Sequence, residues 1–149
     1  MKKFYVNGFL FDNNGERVAL IRKVHFPPNV DWTKNPWNGV GGKIERNETA
    51  IEAMVREFRE ETGVQTNLDD WQYFAEVDSP DWTVFYFRAF NSEYLSQVTT
   101  MTDEEVEVWL ARQLEWIPSV PHLSFLLPYA KWRTSSAPAM FKEIADKRS

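Results

Sequence analysis

Glu57, Glu60 and Glu61 fall at i, i+3 and i+4 within residues 49–62, a stretch whose pattern is helical. They therefore share one helix face. At 100° per residue they span about 100°, centred roughly 120° from the apolar stripe of Ile51, Met54, Val55 and Phe58. One face is set for burial, and the face beside it carries three like charges. These repel one another, and two of them stand in the last turn, where the helix dipole disfavours anions. A multivalent cation relieves that cost, and clustered hard oxygen ligands suit Mg²⁺, Mn²⁺ or Ca²⁺ rather than zinc. A solvated acidic face would account for the same residues, since charge runs often serve solvation. Upstream, Gly39, Gly41 and Gly42 weigh toward a site, because closely spaced glycines let a backbone approach a ligand and expose its amides.

The wider spacing carries a resemblance. Gly42, five residues, Glu48, seven residues, then Arg56-Glu57-Phe58-Arg59-Glu60-Glu61-Thr62-Gly63-Val64 resembles the Nudix box, G-x5-E-x7-R-E-U-x-E-E-x-G-U. Every fixed position is filled, and Phe58 and Val64 occupy the two apolar U positions. A match this complete would arise by chance in fewer than about one such chain in a million. The box covers residues 42–64, and the order of strands and loops around it fits the same family.

The resemblance implies hydrolysis of a nucleoside diphosphate linked to another group, with Mg²⁺, or Mn²⁺, as cofactor. It makes Glu57, Glu60 and Glu61 the metal-binding carboxylates and Gly42 the glycine whose carbonyl joins the metal shell. Arg56 and Glu48 match a pair that ties loop to helix and orients the acids. A later-loop acid often completes such sites; Glu104 and Glu105 are the candidates, with Glu104 preferred. Either a ligand carboxylate or that acid takes the proton from water.

The residues 37–43, Trp-Asn-Gly-Val-Gly-Gly-Lys, look like the entry to the box in the MutT-like branch, which cleaves nucleoside triphosphates to monophosphate and pyrophosphate. That likeness makes Asn38, Gly41 and Lys43 candidates for contacting substrate. Asn38 either contacts the base or turns the chain before Gly39. Arg22 or Lys23, ending the second strand, is a candidate for the phosphates. Residues 119–124 offer no acid to read a purine edge, which argues against oxidised-guanine specificity; His122 is a weak substitute. Phe26, Trp32, Trp37 and Trp82 fall in or beside loops, where a base could stack on one of them.

Composition sets the frame. The chain has 149 residues and no cysteine, which excludes disulfides, thiolate metal sites and a cysteine nucleophile. A net charge of -5 argues against extended nucleic-acid binding, although bound Mg²⁺ would reverse the sign locally. Its 7 Trp, 5 Tyr and 11 Phe are enough for a core with rings to spare, and exposed ones leave a homodimer open. No 18 apolar residues run together and the N-terminal apolar run is too short for a signal segment, so no membrane association and a cytoplasmic location are expected.

The elements that must position these groups read as follows. Strands are expected over residues 4–11, 17–24, 71–77, 83–90 and 106–111, with an Asn-Gly hairpin turn at 13–15. Residues 25–36 form a long loop and 91–103 a second, polar one. Thr49 and Glu52 make a capping box at the start of the helix, and Gly63 stops it. Residues 122–132 and 139–147 read as mostly helical, with Pro128 a complication. Phe85 and Phe87 alternate with Val84 and Tyr86, so that strand is covered on both faces. One α/β (α+β) domain follows, a Nudix-type α/β/α sandwich with a mixed sheet. The expected activity is Mg²⁺-dependent triphosphate pyrophosphohydrolysis. The alternatives are cleavage of ADP-ribose, a nucleotide sugar or a dinucleoside polyphosphate, and a catalytically silent binding module, which would usually have lost some of the box acids.

Overall fold

The computed structural model describes residues 1–24, 37–115, 123–132 and 138–142. The strands are β1 (Lys3–Phe11), β2 (Arg17–Arg22), β3 (Trp37–Asn38), β4 (Val40–Lys43), β5 (Gln72–Asp78), β6 (Trp82–Phe90), β7 (Val106–Leu110) and β8 (Ala139–Lys142). The helices are α1 (Ala50–Thr62), α2 (Ser92–Gln97) and α3 (Leu123–Trp132). All eight strands belong to one mixed sheet. Its centre is the long parallel pair β1 and β6, in register from Lys3↔Trp82 to Phe11↔Phe90.

Alternation along β1 divides the core. Phe9 and Phe11 join Val18, Leu20, Phe74, Tyr86 and the α3 residues Leu126, Leu127 and Ala130. Val6 and Leu10 join Ala19, Ile21, Val40, Phe87, the α1 residues Ala53, Met54 and Phe58, and Leu95 of α2. Helices thus cover the sheet on both faces, as the expected sandwich requires. Met54 and Phe58 are fully buried, each contributing about 1.5–3 kcal/mol of burial. This fixes which way α1 is rotated and where its acids point.

The hairpin turn forms as expected, with Gly15 at φ 71° and its N–H donating to Asp12 O at 3.0 Å. Beyond it, β1 and β2 pair at Leu10↔Ala19 and Phe11↔Val18 and then part. The segment carrying β3 and β4 fills the gap: Trp37 and Asn38 pair with β2, and residues 40–43 pair with β1. Gly41 sits opposite Asn7 so tightly that a Cβ there would overlap the Val6 carbonyl oxygen.

Two expectations fail. Within 91–103, expected as a loop, residues 92–97 form α2, because Asn91 Oδ1 caps Tyr94 N at 2.9 Å and Leu95 buries its side chain. Residues 139–142, expected as helix, form β8, which runs parallel to β5 with Ala75↔Ala139 to Asp78↔Lys142. There the open backbone edge of β5 outweighs a weak local preference for helix. α3 runs through Pro128 without a break in its assignment. Residues 25–36, expected as a long loop and carrying Phe26 and Trp32, lie outside the described residues, as do His122 and residues 143–149.

Candidate active site

The site is assembled at the junction of β4, the loop after it, and α1. The capping box is present: Thr49 Oγ1 accepts from Glu52 N at 3.2 Å, and Glu52 Oε1 accepts from Thr49 N at 2.8 Å. Gly63 closes the helix in the left-handed region at φ 77°, its N–H donating to Arg59 O at 2.9 Å. Asn47 takes a positive φ of 68° in the connecting loop, a conformation asparagine tolerates better than most residues.

Arg56 is the hub. Its Nε and Nη2 donate to the two oxygens of Glu48 at 3.0 and 2.6 Å, a bidentate pair. Nη2 also donates to the Lys43 carbonyl at 3.0 Å, fastening the helix to the end of β4. Nη1 reaches Glu57 Oε1 at 3.0 Å and Glu60 Oε2 at 3.2 Å. Glu48 in turn accepts from Glu45 N at 2.7 Å, which fixes the loop. The Arg56 guanidinium holds the Glu48 carboxyl below the usual carboxylate range, and Glu48 pushes the Arg56 pKa up in return.

The three acids of the helix differ in setting. Glu57 has a side chain only 12% exposed, against 48% for Glu60. The Glu57 carboxylate lies over Gly42, where a Cβ would stand 2.6 Å from Glu57 Cδ. Burial raises the Glu57 pKa, partly offset by Arg56. Glu61 turns to the later loop and accepts from Thr102 Oγ1 at 2.9 Å. Burial raises its pKa as well; the Thr102 hydrogen bond opposes the shift and the nearby Glu104 charge adds to it.

Glu104, the preferred loop acid, is buried beside this group. Its Oε1 accepts from Lys23 Nζ at 3.1 Å and its Oε2 from Val24 N at 2.9 Å, so it ties the loop to the end of β2. Glu105 is exposed, and its carbonyl accepts from Arg22 N at 2.8 Å. Of the two basic residues ending β2, Lys23 is the one beside the acids; Arg22 is exposed and alternates onto the α3 face with Leu20.

The remaining candidates fall as follows. Asn38 Oδ1 accepts from Gly39 N at 2.8 Å, the local turn geometry. Lys43 has an exposed side chain, and Gly41 serves the close packing of β4 on β1. Trp37 packs edge-on against Trp109 at 5.2 Å between ring centroids. Sequence reasoning passed over Thr102; a hydroxyl two residues before the loop acid was its only local sign.

The donor set fits a hard divalent cation: carboxylate oxygens on one helix face, a glycine backbone against the most buried of them, and neither sulfur nor imidazole among the acids. Among the described residues no three such side chains converge into a finished cage. Arg56 supplies the positive charge that now gathers Glu57 and Glu60. No helix among the described residues is long and apolar enough to cross a membrane.

Residues 1–125 match the family model described as the NUDIX domain. The fold is similar to a MutT structure from work on the Aliivibrio salmonicida and Vibrio cholerae proteins, with a TM-score of 0.68 at 16% identity over 88% of this chain and 97% of that one. A MutT protein from Bacillus halodurans gives 0.68 at 17% identity, covering 95% of this chain and 90% of that one. A NUDIX hydrolase from Nitrosomonas europaea gives 0.64 at 20%, covering 98% and 80%. With every fixed residue of the box in place, the chain belongs to the Nudix family and is a Nudix hydrolase.

Proposed function

We propose that this hydrolase cleaves a nucleoside triphosphate to the monophosphate and pyrophosphate, with Mg²⁺ or Mn²⁺ held by Glu57, Glu60 and Glu61, the Gly42 backbone and the Glu104 loop. The observation that carries the reading is the Arg56 hub, which joins Glu48, Glu57, Glu60 and the end of β4 in one hydrogen-bonded group. The likeness of residues 37–43 to the entry segment of the MutT-like branch supports a triphosphate over other nucleoside diphosphate derivatives.

When bound, the cation neutralises charge on the phosphoryl oxygens and orients them for attack by water. The chain supplies the rest. Arg56 fixes the rotamers of Glu48 and Glu57 and tethers Glu60. Burial of Glu57 and Glu61 disfavours their anionic forms and raises their pKa. One of the ligand carboxylates Glu57, Glu60 and Glu61, or Glu104 of the later loop, is proposed to take the proton from water. Asn38, Gly41 and Lys43, on the segment that enters the box, are proposed to guide the nucleotide, with Lys23 rather than Arg22 the basic residue beside the acids.

A panel of nucleoside triphosphates, ADP-ribose, nucleotide sugars and dinucleoside polyphosphates, each assayed with Mg²⁺, tests this. Turnover highest on a triphosphate is expected. Turnover highest on ADP-ribose or a nucleotide sugar would move the assignment to that class, and no turnover on any of them would leave a binding module.

A further inference from the structure

We propose that Thr102 is a positioning residue, its hydroxyl setting the spacing between Glu61 on α1 and Glu104 in the following loop, and so the carboxylate geometry presented to a divalent cation. This rests on the functional reading above and deepens it.

A threonine hydroxyl has one proton to donate and lone pairs to accept with. In Thr102 both capacities are used across the site: Oγ1 donates to Glu61 Oε2 at 2.9 Å and accepts from Glu104 N at 3.1 Å. The hydroxyl therefore links a helix carboxylate to the backbone of the residue that carries the loop acid. Both ends of the linkage are anchored independently. On the helix side, Thr99 N and Thr99 Oγ1 donate to Thr62 O at 3.0 and 3.3 Å, satisfying a terminal helix carbonyl. On the sheet side, Lys23 and Val24 hold the two Glu104 oxygens, and Thr100 Oγ1 accepts from Val106 N at 2.9 Å.

Between these anchors the Glu104 charge acts on Glu61. Thr102 couples the Glu61 carboxylate to the Glu104 backbone, with its proton directed at Glu61. The residue is exposed, so removing its hydroxyl opens no cavity and leaves the core untouched. Groups of this kind, which orient a metal-binding carboxylate by hydrogen bonding, commonly govern metal affinity.

The test is a Mn²⁺ titration of the full chain followed by electron paramagnetic resonance of the free ion, for wild type, Thr102→Val, Thr102→Ala and Thr102→Ser. Thermal melts by circular dichroism run in parallel. The two variants without a hydroxyl are expected to need about 10-fold more Mn²⁺ or more for half-saturation, with unchanged melts. Thr102→Ser, which keeps the hydroxyl, is expected to bind as the wild type does. Wild-type affinity in Thr102→Val and Thr102→Ala, or a loss in Thr102→Ser equal to theirs, would overturn the proposal. If the wild type binds Mn²⁺ but hydrolyses no nucleotide, the functional reading falls, while the titration still decides the role of Thr102. A wild type that binds no Mn²⁺ overturns both.

Discussion

The carboxylate of Glu57 rests on the bare backbone of Gly42, so closely that a Cβ at the glycine would stand 2.6 Å from Glu57 Cδ and 2.8 Å from Oε2. Gly42 has no positive φ, so its backbone accepts alanine without strain. What must move is the far end of a flexible side chain. Gly42→Ala is therefore expected to fold and melt near the wild type while losing about 10²-fold in kcat, the scale of a misplaced catalytic group. Gly41→Ala meets the Val6 carbonyl instead, and a marked drop in melting temperature is expected there. Melts and steady-state kinetics on the two variants separate a site glycine from a packing glycine; equal melting losses in both would refute the distinction.

Arg56 binds Glu48 through two parallel hydrogen bonds while also reaching Glu57 and Glu60. Lysine keeps the charge but cannot form that fork. Arg56→Lys should lower kcat by at least an order of magnitude, with only a small change in far-ultraviolet circular dichroism. Kinetics matching the wild type would mean that charge alone suffices at this position.

Glu48 carries a pH signature. Its carboxyl is held below the usual value of 4.5, chiefly by the Arg56 hydrogen bonds. Its contribution is thus present above that value and is lost as pH falls through the depressed one. Glu48→Gln should cost about 1–3 kcal/mol at neutral pH, and the difference from wild type should shrink in acid. Urea unfolding at both pH values measures it, and a difference that does not change with pH would contradict the assignment.

Glu57 and Glu61 run the other way. Burial raises both above the usual 4.5. The stability associated with their protonated forms is full below that value and is lost as pH rises through the raised one. In EDTA at neutral pH, Glu57→Gln and Glu61→Gln are expected to melt higher than the wild type, with the gain vanishing in acid. The same substitutions, and Glu60→Gln, are expected to cut turnover by orders of magnitude. Variants that melt lower in EDTA at neutral pH would show that these carboxylates stabilise the fold rather than strain it.

Legibility followed the range of the interactions. The helix, its Thr49 cap and its Gly63 stop are local in sequence, and spacing located them, whereas the pairing of Glu48 with Arg56 followed from the resemblance to the Nudix box. The covering of β6 on both faces could be read from Val84 to Phe87, because alternation is local too. The anchor of Glu104 could not: its partners, Lys23 and Val24, lie 81 and 80 residues away. β8 was hidden because nothing in Ala139–Lys142 outweighs helix until β5 offers an edge. α2 is only 6 residues long and depends on the Asn91 cap and one buried leucine. Asn38 was legible as a residue that turns the chain before Gly39, whose amide donates to it, whereas Trp37 carried no hint that Trp109 would engage it.

The central claim is tested most directly by the products. A nucleoside triphosphate is incubated with the full chain and Mg²⁺, and the products are followed by phosphorus-31 nuclear magnetic resonance. The expected result is pyrophosphate and nucleoside monophosphate in equal amounts, abolished by excess EDTA and by Glu60→Gln. Release of orthophosphate with nucleoside diphosphate, or cleavage that persists in excess EDTA, would contradict it.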